Sequence, residues 1–308
     1  MQKSRVSTGL KRPGRHRLMK GLVPYLYLSP TLVLLAVLSL IPIATVFTYS
    51  LLDNVIITRD APTFVGISNY LDIISKSHFR QALQNTLVFA IASVIAHFIL
   101  GLSFALLLNT NLIGANAKAL FRVIYILPWV FTASIIAILW RLLLNPNGVV
   151  NYLLISVGLA NEPIEWLSSR QLALQSVTFI NIWAGYPFYM VSFLAGLQGI
   201  PTSLYEAAKI DGANGVQLFR YITLPQLKPI ITSLAMLDFI WTTHQFTLIW
   251  MTTGGGPIRS SEVLSTYTYK TAFSAFQFSQ ASTIAMIILA LTTFVAIFYV
   301  RNQRMAAE

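Results

Sequence analysis

Residues 206–225 read Glu206-Ala207-Ala208-Lys209-Ile210-Asp211-Gly212-Ala213-Asn214-Gly215-Val216-Gln217-Leu218-Phe219-Arg220-Tyr221-Ile222-Thr223-Leu224-Pro225, and they lie between two long apolar segments. Local chemistry makes this stretch a helical hairpin. Pro201 ends the element before it, and Ser203-Leu204-Tyr205-Glu206 has the spacing of a capping box, with the Ser203 hydroxyl accepting from the Glu206 amide while Glu206 reaches back. Ala207 and Ala208 keep the first helix slim, and Gly212 and Gly215 offer places to turn. Leu218, Phe219 and Ile222 share one side of a second short helix. The Leu224-Pro225 step is expected to end that helix, and Pro229 to open the next apolar segment. An ordinary capped reversal of the chain would carry the same signals, so the surroundings decide its meaning.

Those surroundings belong to a membrane protein. The chain is 56% hydrophobic and only 10% charged over 308 residues, with a mean hydropathy of +0.67. Soluble domains carry about 25% charged residues. The absence of cysteine excludes disulfides, thiolate metal sites and cysteine nucleophiles. The net charge of +11 does not point to nucleic acid, because seven of the 21 basic residues stand in the first 20 positions, directly before an apolar segment. A basic arm in that place is a topology signal facing anionic lipid.

Six segments are long enough to cross a hydrocarbon core, which takes about 20 helical residues. They fall near 24–50, 85–108, 121–144, 172–198, 229–251 and 280–300. The first exceeds the 7–15 apolar residues of a signal peptide and reads as a retained span. Backbone satisfaction in lipid makes all six helices. The expected organisation is a basic arm over 1–23, a six-span domain over 24–300 that includes a 199–228 loop, and a short tail over 301–308. With the amino terminus inside, the inner segments hold 14 Lys and Arg and the outer ones 7. That bias places both termini and the 199–228 loop in the cytoplasm. Asn145-Pro146-Asn147-Gly148 stops the third span and Thr252-Thr253-Gly254-Gly255-Gly256-Pro257 the fifth. Prolines 30, 42, 128 and 187 fall inside spans, where a bundle can re-satisfy the freed carbonyls.

The full pattern resembles a known family. Glu206-Ala207-Ala208, Asp211-Gly212-Ala213 and Ile222-Thr223-Leu224-Pro225 keep the spacing of the "EAA" loop of binding-protein-dependent ABC importer permeases. Phe64-Val65-Gly66-Ile67-Ser68-Asn69-Tyr70, Asn85-Thr86, Ala105-Leu106-Leu107-Leu108-Asn109 and Ile126-Leu127-Pro128 are similar to the sugar branch of that family. So are Gly185-Tyr186-Pro187-Phe188, Ala195-Gly196-Leu197-Gln198-Gly199-Ile200-Pro201 and Gly255-Gly256-Pro257. The combination resembles the first of two homologous permeases in maltose- and glycerol-phosphate-type systems. The resemblance implies an all-α, six-span type I importer fold. It also implies that Glu206, Ala207, Ala208, Asp211 and Gly212 contact a cleft of a separate ATPase.

Polar residues inside a membrane bundle are costly and mark candidate pathways. Asp238, Trp241, Thr242 and Gln245 fall at i, i+3, i+4 and i+7, which is one helical face. Asn181, Gly185 and Phe188 share a face of the fourth span by the same rule. A ring beside a carboxylate, a hydroxyl and an amide suits a sugar, whose apolar face covers the ring while its hydroxyls bond the polar groups. The same polar residues could equally join neighbouring helices, and Gly185 could mark close packing. Asp238 could also pair with a basic group on a partner permease. Alignment with the maltose-type permease implies that these seven positions contact the sugar. Asp238 and Thr242 depart from that pattern, which has smaller or neutral polar groups at the first position and asparagine at the second. His97 and His244 lack a nearby ligand set for a metal.

The implied assembly pairs this chain with a second permease, two copies of an ABC ATPase and an extracytoplasmic solute-binding protein, in a bacterial or archaeal inner membrane. No cofactor is expected on this chain; ATP and magnesium belong to the ATPase, because Gly254–Gly256 runs into Pro257-Ile258-Arg259 with no Gly-Lys-Ser/Thr to hold phosphate. No catalytic constellation is visible, so the chain reads as a gate rather than an enzyme. The alternative is an ion-coupled secondary transporter acting without an ATPase.

Overall fold

A computed structural model describes residues 26–53, 55–56, 61–110 and 113–305. The expected basic arm, Arg59 and the last three residues lie outside the described residues. The chain is a helical bundle. Helix α1 spans Leu26–Ser50 and contains a wide π turn, Ala36–Leu40, leading up to Pro42, whose ring cannot sit against the carbonyl four residues back. A two-residue ladder pairs β1 (Leu52–Asp53) with β2 (Thr63–Phe64) in antiparallel register, Leu52 opposite Phe64. Helices α2 (Ser68–Ser75) and α3 (Ser77–Asn109) follow. The Phe64–Tyr70 motif ties this corner together: Asn69 Nδ2 donates to the Ser50 and Leu52 carbonyls, and the Tyr70 and Ser50 hydroxyls meet at 2.7 Å.

The third expected span is broken. Helix α4 (Ala115–Val130) and α5 (Ala133–Leu143) meet at 99°. Pro128 withholds a donor from the last turn of α4, and the extended Phe131 and Thr132 open the angle before Thr132 caps α5. The turn at 145–148 then leads into α6 (Val149–Ser156), and α7 (Ala173–Gln198) crosses the middle of the bundle. Beyond it lie α8 (Thr202–Ile210) and α9 (Gly215–Leu218), a π turn at Phe219–Thr223, and α10 (Leu224–Thr243). Three short pieces complete the chain: α11 (Thr247–Thr252), α12 (Leu264–Tyr269) and a π turn at Lys270–Ser274, before α13 (Phe278–Met305).

Among the described residues four helices, α1, α3, α7 and α13, are long and apolar enough to span a membrane, and the bent α4–α5 pair gives a fifth where it is counted as one span. The expected fifth span is interrupted at residues 244–246 between α10 and α11. Gln226, Lys228, Asp238, Thr242 and Thr243 hold α10 below the apolarity of the other spans.

The core forms where α3 and α7 pack along each other. Leu102, Ala105, Leu108, Tyr189, Met190, Phe193 and Leu197 are buried there with Leu227 of α10. A Cβ on Gly101 would overlap the Tyr189 side chain, so this contact requires glycine. On the other side, Asn85 Nδ2 donates to the Ser260 and Glu262 carbonyls, while the Leu264 amide donates to Thr86 Oγ1 at 2.8 Å. The Asn85-Thr86 motif thus anchors the 252–264 loop. Within that loop the buried Glu262 carboxylate accepts from Arg259 (3.0 Å) and Lys270 (2.8 Å), which offsets the cost of burying its charge. Burial pushes the nearby Tyr267 phenol up.

Candidate functional site

Two regions gather the candidate residues, and the hairpin is the simpler one. Helix α8 begins behind Pro201 with no side-chain cap, so the Ser203–Glu206 box does not form. The helix starts at Thr202, which puts Ser203 inside the first turn rather than at its edge. The box sits instead on α9, where the Asn214 side chain accepts from the Gln217 amide and Gln217 Oε1 accepts from the Asn214 amide. Between the two helices the turn is a Schellman motif. The Gly212 amide donates to the Lys209 carbonyl and the Ala213 amide to the Ala208 carbonyl. Gly212 has φ +83°, the left-handed conformation that glycine adopts without penalty.

Leu224-Pro225 does not end a helix. Leu218, Phe219, Thr223 and Leu224 all have helical backbone, so the helix runs on from α9 through the wide π turn, Pro225 directly follows that turn at the start of α10, and Pro229 lies inside α10. The inner side of the hairpin is fixed: Tyr205, Phe219 and Ile222 pack on the α3–α7 core, and the Tyr205 hydroxyl bonds Thr223 Oγ1 at 3.0 Å. The outer side is free of the bundle. Glu206, Ala207, Asp211 and Gly212 are exposed, Ala208 is half-buried, and Ile210 and Val216 stand out as exposed apolar side chains.

The second region is a cavity of about 270 Å³. Asn181, Gly185, Asp238, Trp241, Thr242 and Gln245 all line it, so six of the seven positions chosen from the sequence share one wall. Phe188 lies beside the wall, its ring 5.8 Å from both Trp241 and Trp129. Trp241 is 57% exposed, whereas Asn181, Asp238 and Thr242 are buried. Gln245 is not on the helical face expected of it. It follows the α10 C-cap at His244, and its backbone carbonyl is held by the Ser265 hydroxyl at 2.7 Å.

Hydrogen bonds knit this wall together. His97 of α3 places Nδ1 2.8 Å from Asp238 Oδ2 and Nε2 3.1 Å from the Asn181 carbonyl. Thr242 Oγ1 donates to Asp238 Oδ1 at 3.0 Å, and Asn181 Nδ2 donates to Ser93 at 3.0 Å. A Cβ on Gly185 would overlap the His97 ring, so Gly185 is a close-packing position as well as a wall position. Asp238 therefore pairs within its own chain. Sequence reasoning considered His97 only as a metal ligand without a ligand set, because its hydrogen-bond partners stand 84 and 141 positions away. Trp129 and Phe131 of the wall were also missed; the helix break that brings them in had no pattern of its own.

A polytopic bundle with a packed, outward-facing hairpin and a polar cavity between its helices has the form of a transport pathway. The chain belongs to the family described as binding-protein-dependent transport system inner membrane components, whose pattern it matches over residues 97–306. It is 36% identical to a probable ABC transporter permease protein of Sinorhizobium fredii, over 89% of this chain and 87% of that one. It is 38% identical to the trehalose/maltose transport system permease protein of Thermococcus litoralis, over 76% and 77% of the two chains. A lactose transport system permease protein of Rhizobium radiobacter is 31% identical over 91% and 94%. The fold is similar to that of a chain in a bacterial ABC transporter that imports alginate, with TM-score 0.77, 22% identity and coverage of 95% and 100%. It is therefore an inner-membrane permease component of an ABC importer with the type I fold.

Proposed function

We propose that this chain forms one half of the pathway of an ATP-driven carbohydrate importer. The observation that carries this reading is the cavity wall, where an exposed Trp241 ring, backed by Phe188 and Trp129, stands beside Asp238, Thr242, Asn181 and Gln245. A ring face next to hydroxyl-accepting groups fits a saccharide, and relatives named for trehalose/maltose and lactose support the same class. A second permease supplies the facing wall, a solute-binding protein delivers cargo from outside, and two ATPase copies dock beneath. Both termini and the hairpin face the cytoplasm, in keeping with the two-to-one bias of basic residues.

In this account Glu206, Ala207, Ala208, Asp211 and Gly212 meet the ATPase. Closure of the ATPases on ATP moves the hairpins and turns the cavity outward; hydrolysis, carried out in the partner with its ATP and magnesium, restores the inward-facing state. This chain performs no bond-making step. The rigid inner packing of the hairpin supports such a transmission, because force on Tyr205 and Phe219 reaches the α3–α7 core directly.

Trp241→Ala tests the cavity. In the reconstituted complex it should raise the half-saturating concentration for cargo-dependent ATP hydrolysis by about tenfold, the loss of one aromatic contact face, without releasing the ATPase. An unchanged cargo dependence would remove the cavity from the pathway.

A further inference from the structure

The imidazole of His97 sits between two acceptors. Its Nε2 is 3.1 Å from the Asn181 backbone carbonyl, which can only accept, so Nε2 carries a proton. Its Nδ1 is 2.8 Å from Asp238 Oδ2, a spacing that requires one proton between them. Whether that proton rests on the ring or on the carboxyl group, His97 and Asp238 together carry no net charge. The other carboxyl oxygen receives the Thr242 hydroxyl at 3.0 Å. His97 is 2% exposed, and the Tyr189 ring covers it at 5.7 Å.

Two consequences follow for a ligand in the cavity. The single basic side chain of the wall has spent both N–H groups, so it has none to offer a carboxylate or phosphate. Among the described residues of the wall there is no lysine or arginine. The single acidic side chain is compensated by His97, so it gives no net attraction to a cation either. What the wall retains is ring faces, hydroxyls, amides and the remaining lone pairs of Asp238, which are partners for uncharged hydroxyl groups.

Resting on the carbohydrate reading above, we propose that His97 is a specificity-determining positioning residue. It holds Asp238 charge-compensated and thereby restricts this wall to uncharged saccharides, against both acidic and amino sugars. Gly185 belongs to the same device, because only a residue without a side chain leaves room for the imidazole between α7 and α10. The arrangement depends on three helices, and no short stretch of sequence contains it.

The test uses the purified permease–ATPase complex without its binding protein, so that selection by the binding protein does not intervene. Equilibrium binding is measured for trehalose, maltose and lactose, each beside its 6-amino-6-deoxy and 6-carboxy derivatives. The wild type should bind a neutral sugar better than either charged derivative. His97→Gln leaves Asp238 uncompensated, and the ratio of amino-sugar to neutral-sugar affinity should rise by about tenfold. The double variant His97→Gln/Asp238→Asn should lose that rise, a charge signature that simple loosening of the wall would not produce. Asp238→Asn alone keeps the side-chain shape and guards against a folding defect in the histidine variant; it should show no gain for the amino sugar. Unchanged rankings in His97→Gln, or equal binding of charged and neutral sugars by the wild type, would overturn the assignment. If no sugar of the panel binds, charged or neutral, the carbohydrate reading itself falls.

Discussion

The hairpin over residues 202–223 shows its candidate contact residues on one contiguous stretch of exposed chain, whereas the cavity draws its wall from α3, α4, α5, α7 and α10 and buries the polar side chains His97, Asn181, Asp238 and Thr242. The two regions solve different problems. A surface that must grip another protein needs exposed groups on a stiff mount, and the hairpin has both: Glu206 and Asp211 outside, Tyr205 and Phe219 locked inside. A cavity that must pass a hydrophilic solute through lipid needs polar groups that do not demand water when the solute is absent. There the buried polar side chains are satisfied within the bundle: His97 bonds Asp238 and Ser93 bonds Asn181 across helices, and Thr242 bonds Asp238 on its own helix.

That contrast predicts where damage spreads. Glu206→Lys reverses the charge of the hairpin's outer face and leaves its inner packing alone. It should release the ATPase from the purified complex and lower ATP-driven uptake by about a hundredfold, while the bundle keeps its thermal stability. Retention of the ATPase with normal uptake would break the hairpin side of the comparison. Gly185→Ala strikes the cavity instead, since the new methyl group must displace the His97 ring. The expected cost is about 1–3 kcal/mol, read as a lower melting temperature of the solubilised complex together with weaker cargo binding; an unchanged melting temperature would mean that the imidazole has room to spare. Gly212→Ala is the mildest. It forces a side chain into a left-handed position and should cost about 1 kcal/mol. Faster amide exchange confined to 206–218 would show that the turn is a separate joint, and exchange spreading into α3 would show that hairpin and core form one unit.

The same contrast explains what could be read from the chain. The hairpin's motif is contiguous, so its place and its exposed face were legible, although capping and proline chemistry misled at one point each. Ser203 lies inside the first turn of α8, where it cannot cap it, and Pro225 lies in a helix that it was expected to close. Helical spacing brought six wall residues together because i, i+3, i+4 and i+7 positions share a face wherever the helix is continuous. It failed at the ends of that rule. Gln245 lies past the α10 terminus yet still reaches the wall, and Phe188 lies beside the wall rather than on it. Trp129 and His97 were out of reach, because a 99° break and a contact across 141 residues leave no periodic trace. Six apolar stretches read as spans, but among the described residues only four helices and the bent α4–α5 pair have the length and apolarity of a span, because polar residues hold α10 below it.

The central claim is that an ATPase partner, working through the hairpin, drives solute through this cavity. Uptake into proteoliposomes holding the full complex and its binding protein tests it most directly, with ATP trapped inside in one sample and only a proton or sodium gradient in the other. The account predicts uptake with ATP alone, abolished by Glu206→Lys. Uptake driven by the ion gradient without ATP, and indifferent to Glu206→Lys, would contradict it.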